Sequence, residues 1–318
     1  MVCTLSGSPD DVASRRKRKL NFSDLRFGCS IYAPKLVKAP SISIEPPPTA
    51  KPLGSEEAVV LRRQDERGVV TLTLNRPHAF NALSETILAA LQCEFEAIAG
   101  DESARVVVLA AEGKAFCAGH DLKEMRAKPS LQYYERLFSQ CFEMMLGIQR
   151  LPVPVIARVH GIATAAGCQL VAMCDLAVAA STAKFAVSGV NLGLFCSAPG
   201  VALARNVLRK VAFEMLVTGE FSSADEAKVR GLINRVVEPE QLDAEVEKLV
   251  AAIITKPRVA VAMGKEFFYR QIELSIASAY KAAAQTMACN MIDEAALEGV
   301  QAFIDKRPAS WPKHTKSP

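Results

Sequence analysis

The chain has 318 residues, half of them hydrophobic, and can therefore bury a substantial core in one domain of catalytic size with extensions. Its formal net charge is +4, and the basic run at residues 15–19 lies outside the part with periodic hydrophobicity. The folded body is thus expected to be close to neutral, which argues against a nucleic-acid-binding protein. No uncharged apolar run approaches the ~20 residues that a membrane-spanning helix needs.

Residues 1–57 are predicted to be a disordered or targeting extension, because they contain basic, Ser-rich and Pro-rich stretches and little periodic hydrophobicity. The basic residues between Arg15 and Arg26 favour a mitochondrial transit peptide, whereas Asp10, Asp11 and Asp24 argue against one. A solvated basic tail and a nuclear-type basic run stay open as alternatives.

From Val59 onward, apolar runs alternate with helical patterns. Strands are predicted at residues 69–74, 105–110, 153–159 and 175–179, with helices after Ser84 and at residues 129–149 between them. This alternation favours a largely parallel sheet flanked by helices, and so an α/β fold.

After Ala198 the pattern becomes mainly helical. Ser223 and Glu226 have the spacing of a capping box, residues 233–237 form a brief extended piece, and helices are predicted at 240–254 and from 258 to 303. We interpret residues 58–255 as the core and 256–318 as a C-terminal helical region and tail.

Nine cysteines are scattered through apolar stretches without a C-x-x-C pair or a histidine at metal-ligand spacing. They are predicted to be reduced core residues and not a disulfide framework or a metal site.

Two stretches of small residues each follow a predicted strand. Residues 159–175 have the pattern strand, tight turn and helix start, and residues 114–125 follow the apolar run 105–111. Backbone N–H groups at a helix start lack intrahelical partners and suit an anionic or polarised ligand oxygen. The alternative is that the small residues only allow close packing of helix and strand.

Taken together, these stretches resemble the crotonase (enoyl-CoA hydratase/isomerase) superfamily, with Phe116–Leu122 and Ala165–Leu170 matching its two oxyanion-hole motifs. Asn75–Leu83 matches the family's first motif, and Ala183–Ala186 onward its acyl-pocket segment, so that the resemblance spans roughly Val59 to Trp311. It implies a crotonase (ClpP-like) fold, in which repeated ββα units form a spiral core. It also implies that the C-terminal helices support a homotrimer or hexamer.

The resemblance further implies an acyl-CoA thioester as substrate or ligand, with no other cofactor and no metal. The backbone N–H groups of His120 and Ala166 would then form the oxyanion hole, and the His120 side chain would line the pocket, with a catalytic imidazole as the alternative. The substrate-binding residues implied in the same way are Arg76, His78, Phe80, Ala118, Gly119, Asp121, Leu122, Gly167 and Lys265. For Arg76 and Lys265 the alternatives are a solvated loop charge and a helix-surface charge.

Carboxylates are missing where the family carries out proton transfer. Gln169 and Gly189 occupy the positions of the two usual glutamates, and Ser197 occupies a third position used by dienoyl isomerases. Hydration needs one group to deprotonate water and another to supply the α-proton. Of the nearby acids, Asp121 and Asp175 match structural aspartates of the family, and Glu124 is expected on a helix surface.

The sequence therefore predicts an acyl-CoA-binding protein of fatty-acid and lipid metabolism that is enoyl-CoA hydratase-like but weak or inactive as a hydratase. The alternatives are a non-catalytic regulatory pseudoenzyme, or another CoA-thioester reaction that needs only the oxyanion hole, such as decarboxylation or thioester cleavage. The expected compartment is the mitochondrial matrix, with the cytoplasm as the alternative.

Overall fold

The strands of the protein form two sheets, seen in a computed structural model that describes residues 58–311. The strands are β1 (Val60–Gln64), β2 (Val69–Leu74), β3 (Val106–Ala111), β4 (Ala115–Cys117), β5 (Val155–Val159), β6 (Ile162–Thr164), β7 (Leu176–Ala180), β8 (Lys184–Ala186), β9 (Ser222–Ser223) and β10 (Arg235–Val237). The helices are α1 (Glu85–Ala99), α2 (Leu122–Ala127), α3 (Leu131–Arg150), α4 (Ala166–Met173), α5 (Ser197–Asn206), α6 (Arg209–Thr218), α7 (Ala224–Val229), α8 (Leu242–Ile254), α9 (Arg258–Ile272), α10 (Ile276–Met291) and α11 (Glu294–Ile304). The predicted extension at residues 1–57 lies outside the described residues.

The strand order reveals a repeated ββα unit. The larger sheet has the order β1-β2-β3-β5-β7-β10 and the smaller one β4-β6-β8-β9. Each of the pairs β3/β4, β5/β6 and β7/β8 therefore places one strand in each sheet, and α2, α4 and α5 follow the three pairs. All neighbours pair in parallel except β1 with β2 and β8 with β9. The predicted α/β crotonase fold is confirmed.

The longer elements lie close to their predicted positions. β2 coincides with the prediction, and Ser84 caps α1 by accepting a hydrogen bond from the backbone of Ile87. α3 begins two residues later than predicted because Ser130 is its N-cap, and the capping box of Ser223 and Glu226 is present at α7. Strands β4, β6 and β8, three residues each, were not predicted because so short a run shows no hydrophobic period.

β3 lies at the centre of the core and is buried at all six positions. Val107 and Leu109 face the cluster that contains the buried sides of α1 and α3, while Val106 and Val108 face the smaller cluster that includes Val246 of α8. Because both faces of β3 are buried, apolar residues occupy consecutive positions and do not alternate with polar ones.

The cysteines of the described part are free. Cys117, Cys141, Cys168 and Cys174 are buried, in agreement with the prediction of core residues, whereas Cys93 and Cys289 are exposed and contradict it. Burial raises the pKa of the Cys117 and Cys168 thiols to about 12, so both stay protonated near neutral pH. Within residues 58–311, no three His, Cys, Asp or Glu side chains form a group that could hold a metal ion. The helices of this same part are all too short or too polar to cross a membrane.

Candidate functional site

A cavity of about 390 Å³ lies where the two stretches of small residues meet. Its walls come from α2, α3, the start of α4 and the segment that leads into α5. The lining residues are Ala118, His120, Leu122, Met125, Phe138, Phe142, Ala165, Ala166, Gln169, Ser188, Gly189, Leu192, Leu194, Phe195, Cys196, Ser197, Ala198 and Pro199. The fold thus brings together His120, Ala166, Gln169, Gly189 and Ser197, which are far apart in the chain.

Two backbone N–H groups at this cavity can act as hydrogen-bond donors to a ligand. Leu83 donates to the carbonyl of Gly119 at 2.7 Å and accepts from the N–H of Asp121 at 3.1 Å, so the N–H of His120, between them, faces away from Leu83. Ala166 is the first residue of α4, where an N–H has no intrahelical acceptor and lies at the positive end of the helix dipole.

Two glycines allow the segments that carry these donors to touch. Gly119 has φ of +93°, and a Cβ there would lie 3.3 Å from the nitrogen of Ala166 and 2.9 Å from the Cβ of Ala165. A Cβ on Gly167 would lie 2.1 Å from the carbonyl oxygen of Cys117. The close packing that these glycines allow therefore places the two donors side by side.

The turn before α4 contains a strained residue. Ala165 has φ of +52° and ψ of −121°, a conformation that glycine adopts readily and other residues rarely do. Its N–H donates to the carbonyl of Ala186 at 2.9 Å, and its own carbonyl accepts from the N–H of Gln169 at 3.1 Å. These bonds hold the turn in the conformation that starts α4 at Ala166.

None of the described residues that line the cavity carries a carboxylate. Gln169 is a buried member of the lining, with only 5% of its surface exposed. Asp121 caps α2 and pairs with Arg76 at 3.2 Å, and Glu124 accepts from the backbone N–H of Glu85 at 2.9 Å. Both acids therefore have structural partners outside the cavity lining.

His120 also lines the cavity. Its Nδ1 atom is buried and makes no hydrogen bond to any described residue, and the ring packs edge-on against Phe138 with the centroids 5.4 Å apart. Burial lowers the pKa of His120 below its ordinary value, so the ring is neutral near pH 7. A neutral imidazole can donate or accept one hydrogen bond at Nδ1, depending on its tautomer.

The ammonium group of Lys265 is held inside the protein. It is buried, and its ammonium group donates to the carbonyls of Ile148 and Val153 and to Asp175, the last at 2.6 Å. The interpretation of Lys265 as a helix-surface charge is therefore wrong, whereas its contact with a phosphate stays a prediction. The sequence places the lysine on a helix but does not reveal which face of that helix packs inward.

Other residues predicted from the first motif are not among the described residues that line the cavity. The guanidinium of Arg76 donates to the carbonyl of Ala82 at 3.2 Å besides pairing with Asp121, so it is not a solvated loop charge. His78 and Phe80 are exposed, and Phe80 has φ of +51° at the end of a short 3-10 turn.

Comparison with known proteins supports the same family. The model of the family described as "Enoyl-CoA hydratase/isomerase" matches residues 64–314. The chain belongs to the enoyl-CoA hydratase/isomerase family. It is 46% identical over 248 residues to enoyl-CoA hydratase domain-containing protein 3, mitochondrial, of Xenopus laevis, covering 78% of this chain and 84% of the relative. The mouse (Mus musculus) protein of the same name is 46% identical over 268 residues, covering 83% and 89%.

Solved structures of crotonases agree with the fold. An enoyl-CoA hydratase of Mycobacterium smegmatis is 70% identical with a TM-score of 0.80, covering 80% of this chain and 99% of that one. Human enoyl-CoA hydratase domain-containing protein 3 is 43% identical with a TM-score of 0.77, covering 80% and 100%. The stretches 119–124, 165–171 and 189–205 predict a likeness to this last protein within the crotonases, and that prediction is confirmed.

The apolar wall of this crotonase cavity was not predicted from the sequence. Its missed members are Met125, Phe138, Phe142, Leu192, Leu194, Phe195, Cys196, Ala198 and Pro199. Helical spacing was a usable indication for some of them, since Met125 follows Leu122 by one turn of α2, and Phe138 and Phe142 are four residues apart on α3. For Leu194 and Phe195, which lie in an irregular segment, no local pattern indicates the direction of the side chain.

Proposed function

We propose that this chain binds acyl-CoA thioesters in fatty-acid and lipid metabolism and is weak or inactive as an enoyl-CoA hydratase. The thioester carbonyl oxygen accepts from the backbone N–H groups of His120 and Ala166. In enzymes that use such donors, each contributes ~3–4 kcal/mol to stabilising the oxyanion. The placement of both residues at one cavity, next to glycines that allow the approach, supports this binding mode.

One observation supports the proposed low hydratase activity: among residues 58–311, none that lines the cavity has a carboxylate. General acid–base groups typically contribute ~10²–10⁴-fold each to the rate. The Gln169 amide can orient a water molecule but cannot remove its proton, and Gly189 has no side chain. Asp121 and Glu124 are held by other partners, so neither replaces the missing pair.

The remaining cavity surface suits an acyl chain. Leu122, Phe138 and Phe142 form an apolar wall, and the segment with Leu192 and Phe195 adds further apolar side chains that are more than half exposed in the single chain. An acyl chain that removes this apolar surface from water stabilises the complex by about 25 cal/mol per Å² of surface buried.

Two alternative functions use the same donors. A non-catalytic regulatory pseudoenzyme needs only binding, and decarboxylation or thioester cleavage needs only stabilisation of the oxyanion. The presence of both N–H donors without proton-transfer carboxylates favours these alternatives over ordinary hydration. Turnover of a malonyl-type thioester would indicate decarboxylation, and release of free CoA would indicate thioester cleavage. A pseudoenzyme would show neither.

The proposal is tested by calorimetry with butyryl-CoA and by a crotonyl-CoA hydration assay. We expect binding, together with hydration far below that of an ordinary family member. Gln169→Glu should raise hydration, whereas Gln132→Glu on the exposed start of α3 should not. Rapid hydration by the native protein would contradict the proposal, and so would the absence of any binding at millimolar ligand.

Gly189→Glu is not a useful partner for this test. A Cβ at Gly189 would lie 2.6 Å from both the carbonyl oxygen of Leu194 and the Sγ of Cys196. The glutamate would displace the segment that lines the cavity, so a loss of function would not reveal whether the acid itself is needed.

We further propose a homotrimer or hexamer. The C-terminal helices carry large apolar side chains that are exposed in the single chain, among them Ile276, Met287, Ile292 and Phe303. Large apolar side chains exposed on neighbouring helices are typical of a protein interface.

For the compartment we propose the mitochondrial matrix. The proposal is supported by the names of relatives at 46% identity, which include "mitochondrial". One observation supports the alternative, the cytoplasm: the 70% identity to an enoyl-CoA hydratase of Mycobacterium smegmatis. Fusing residues 1–57 to a fluorescent protein decides between them, because a transit peptide would carry the fusion into mitochondria.

A further inference from the structure

We infer that Thr164 and Ser188 are positioning residues, whose paired hydroxyl groups keep the backbone N–H of Ala166 aimed at the thioester carbonyl. This inference rests on the proposed binding of acyl-CoA thioesters and goes on to name what fixes one of the two donors. Its starting point is the hydrogen bond of 2.9 Å between the Oγ1 of Thr164 and the Oγ of Ser188.

The direction of the Ala166 N–H is set by the backbone of the residue before it. A peptide group is planar, so this N–H turns as one unit with the carbonyl of Ala165 when ψ of Ala165 changes. In a trans peptide the two point in opposite directions, and the carbonyl accepts from the N–H of Gln169 inside α4. With ψ of Ala165 at −121°, the N–H of Ala166 therefore points out of the start of the helix.

The backbone of Ala165 is strained and has to be held in this conformation. Its φ is +52°, and an alanine released from its neighbours would turn towards an ordinary negative φ. One contact that holds it is the bond from its N–H to the carbonyl of Ala186, the residue that lies opposite Thr164 in the pairing of β6 with β8. That ladder pairs only two residues of each strand, so it gives the turn limited support.

The two hydroxyl groups extend the link between these strands. Thr164 is the last residue of β6 and Ser188 follows β8, so their bond joins the two segments beyond the last paired residues. The carbonyl oxygen of Thr164 would lie 3.2 Å from a Cβ on Gly119, in the segment that carries the other donor. Thr164 therefore lies between the segment of Ser188 and the segment of the other donor.

The bond between the hydroxyl groups is strong enough to matter for the turn. A hydrogen bond within a protein contributes a net free energy of the same order as the cost of one strained residue. Without the bond, Ala165 can relax, which rotates the N–H of Ala166 away from the ligand. Ser188 lines the cavity, whereas Thr164 is not among the described residues that do. A change at Thr164 therefore acts on a ligand through the backbone of the turn.

The test compares two ligands that differ only at the carbonyl group. Calorimetry on the full chain measures the binding of butyryl-CoA and of S-butyl-CoA, a thioether that lacks the carbonyl oxygen. We expect the native protein to bind the thioester about tenfold more tightly, the ratio typical of one buried hydrogen bond gained. Thr164→Val removes the hydroxyl at nearly constant shape and should reduce this preference to about twofold. Thr164→Ser retains a hydroxyl and should preserve it.

Matched variants separate the bond from other effects of the substitution. Thr71→Val makes the same change in β2, outside the described cavity lining, and should leave the preference unchanged. Ser188→Ala breaks the bond from its other end and should lower the preference as Thr164→Val does. Combining the two changes should cause no further loss, because both remove one interaction. Thermal melts establish that each variant is folded.

Glycine at position 165 provides a second readout, which a merely structural role of the bond would not move. Glycine adopts a positive φ without strain. Ala165→Gly added to Thr164→Val should therefore restore most of the preference for the thioester. A combined variant that still binds both ligands alike would overturn the inference, since strain at Ala165 would then not connect the bond to the donor.

The outcomes separate this inference from the proposed function. An unchanged preference in Thr164→Val, or a loss in Ser188→Ala alone, would overturn the inference and leave acyl-CoA binding intact. Equal binding of the two ligands by the native protein would overturn the inference together with the proposed role of the N–H donors. If the native protein bound neither ligand, the proposed function itself would be wrong.

Discussion

At the scale of single residues, the site combines strain with a buried, unpaired polar atom. Ala165 is held at φ of +52°, next to the donor of Ala166, and the Nδ1 atom of His120 is buried without a hydrogen bond to any described residue. Such features lower the stability of the folded chain. They persist at functional sites because contacts with the surrounding structure hold them in place. Each can be tested separately.

Replacing Ala165 with glycine should stabilise the protein by about 1 kcal/mol. Relief of a strained φ typically contributes ~1–3 kcal/mol, and the greater freedom of glycine in the unfolded chain removes about 0.5–1 kcal/mol of that gain. Urea unfolding measures the change. Ala89→Gly, at an exposed position inside α1, is the matched control and should destabilise by about 1 kcal/mol. Equal effects of the two changes would contradict the strain at Ala165.

The buried imidazole of His120 should make stability depend on pH. Burial lowers its pKa in the folded state below the ordinary 6.5, so between those two values the unfolded chain binds more protons. The free energy of unfolding therefore falls as the pH drops from about 6.5 through the folded-state pKa. His120→Phe should lose less stability than the native protein between pH 7 and pH 5, as measured by denaturant unfolding at each pH. Parallel curves for the two proteins would refute the effect.

At the scale of elements, α9 is attached to the core through a buried ion pair. Asp175, just before β7, accepts from the N–H of Val155 at 2.6 Å, from Lys265 and from the hydroxyl of Tyr269 at 2.8 Å. Burial lowers the pKa of Lys265, and the attraction of Asp175 opposes that shift. The prediction of Asp175 as a structural residue agrees with this geometry, whereas the position of Lys265 follows only from the packing of α9 on the end of α3.

Lys265→Met should destabilise the protein by about 3–5 kcal/mol, because it leaves the Asp175 carboxylate largely buried without its cation. Lys281→Met, on the exposed side of α10, is the control and should change stability by less than about 0.5 kcal/mol. Thermal and urea unfolding measure both. If the control lost as much stability, the effect would come from replacing a lysine side chain and not from breaking the ion pair.

At the scale of the whole molecule, the exposed apolar side chains of α9–α11 predict assembly. Phe303 is 85% exposed in the single chain, and Phe303→Glu should weaken the oligomer by placing a charge in the interface. Light scattering coupled to gel filtration measures the mass. Val229→Glu changes an equally exposed apolar residue on α7 and should leave the mass unchanged. A monomeric native protein would contradict the proposed trimer or hexamer.

The sequence by itself determined the family, the longer strands and helices, the two segments of the site and the positions that lack glutamates. These are local properties, because a motif, a cap or a hydrophobic period is complete within a few neighbouring residues. Only the tertiary structure decided that Lys265 pairs with Asp175, that Phe138 and Phe195 share one cavity, and that Gln169 and His120 meet at its wall. Those properties depend on which faces of distant elements pack together, and the packing free energy is shared among many residues, so no short stretch of sequence encodes it.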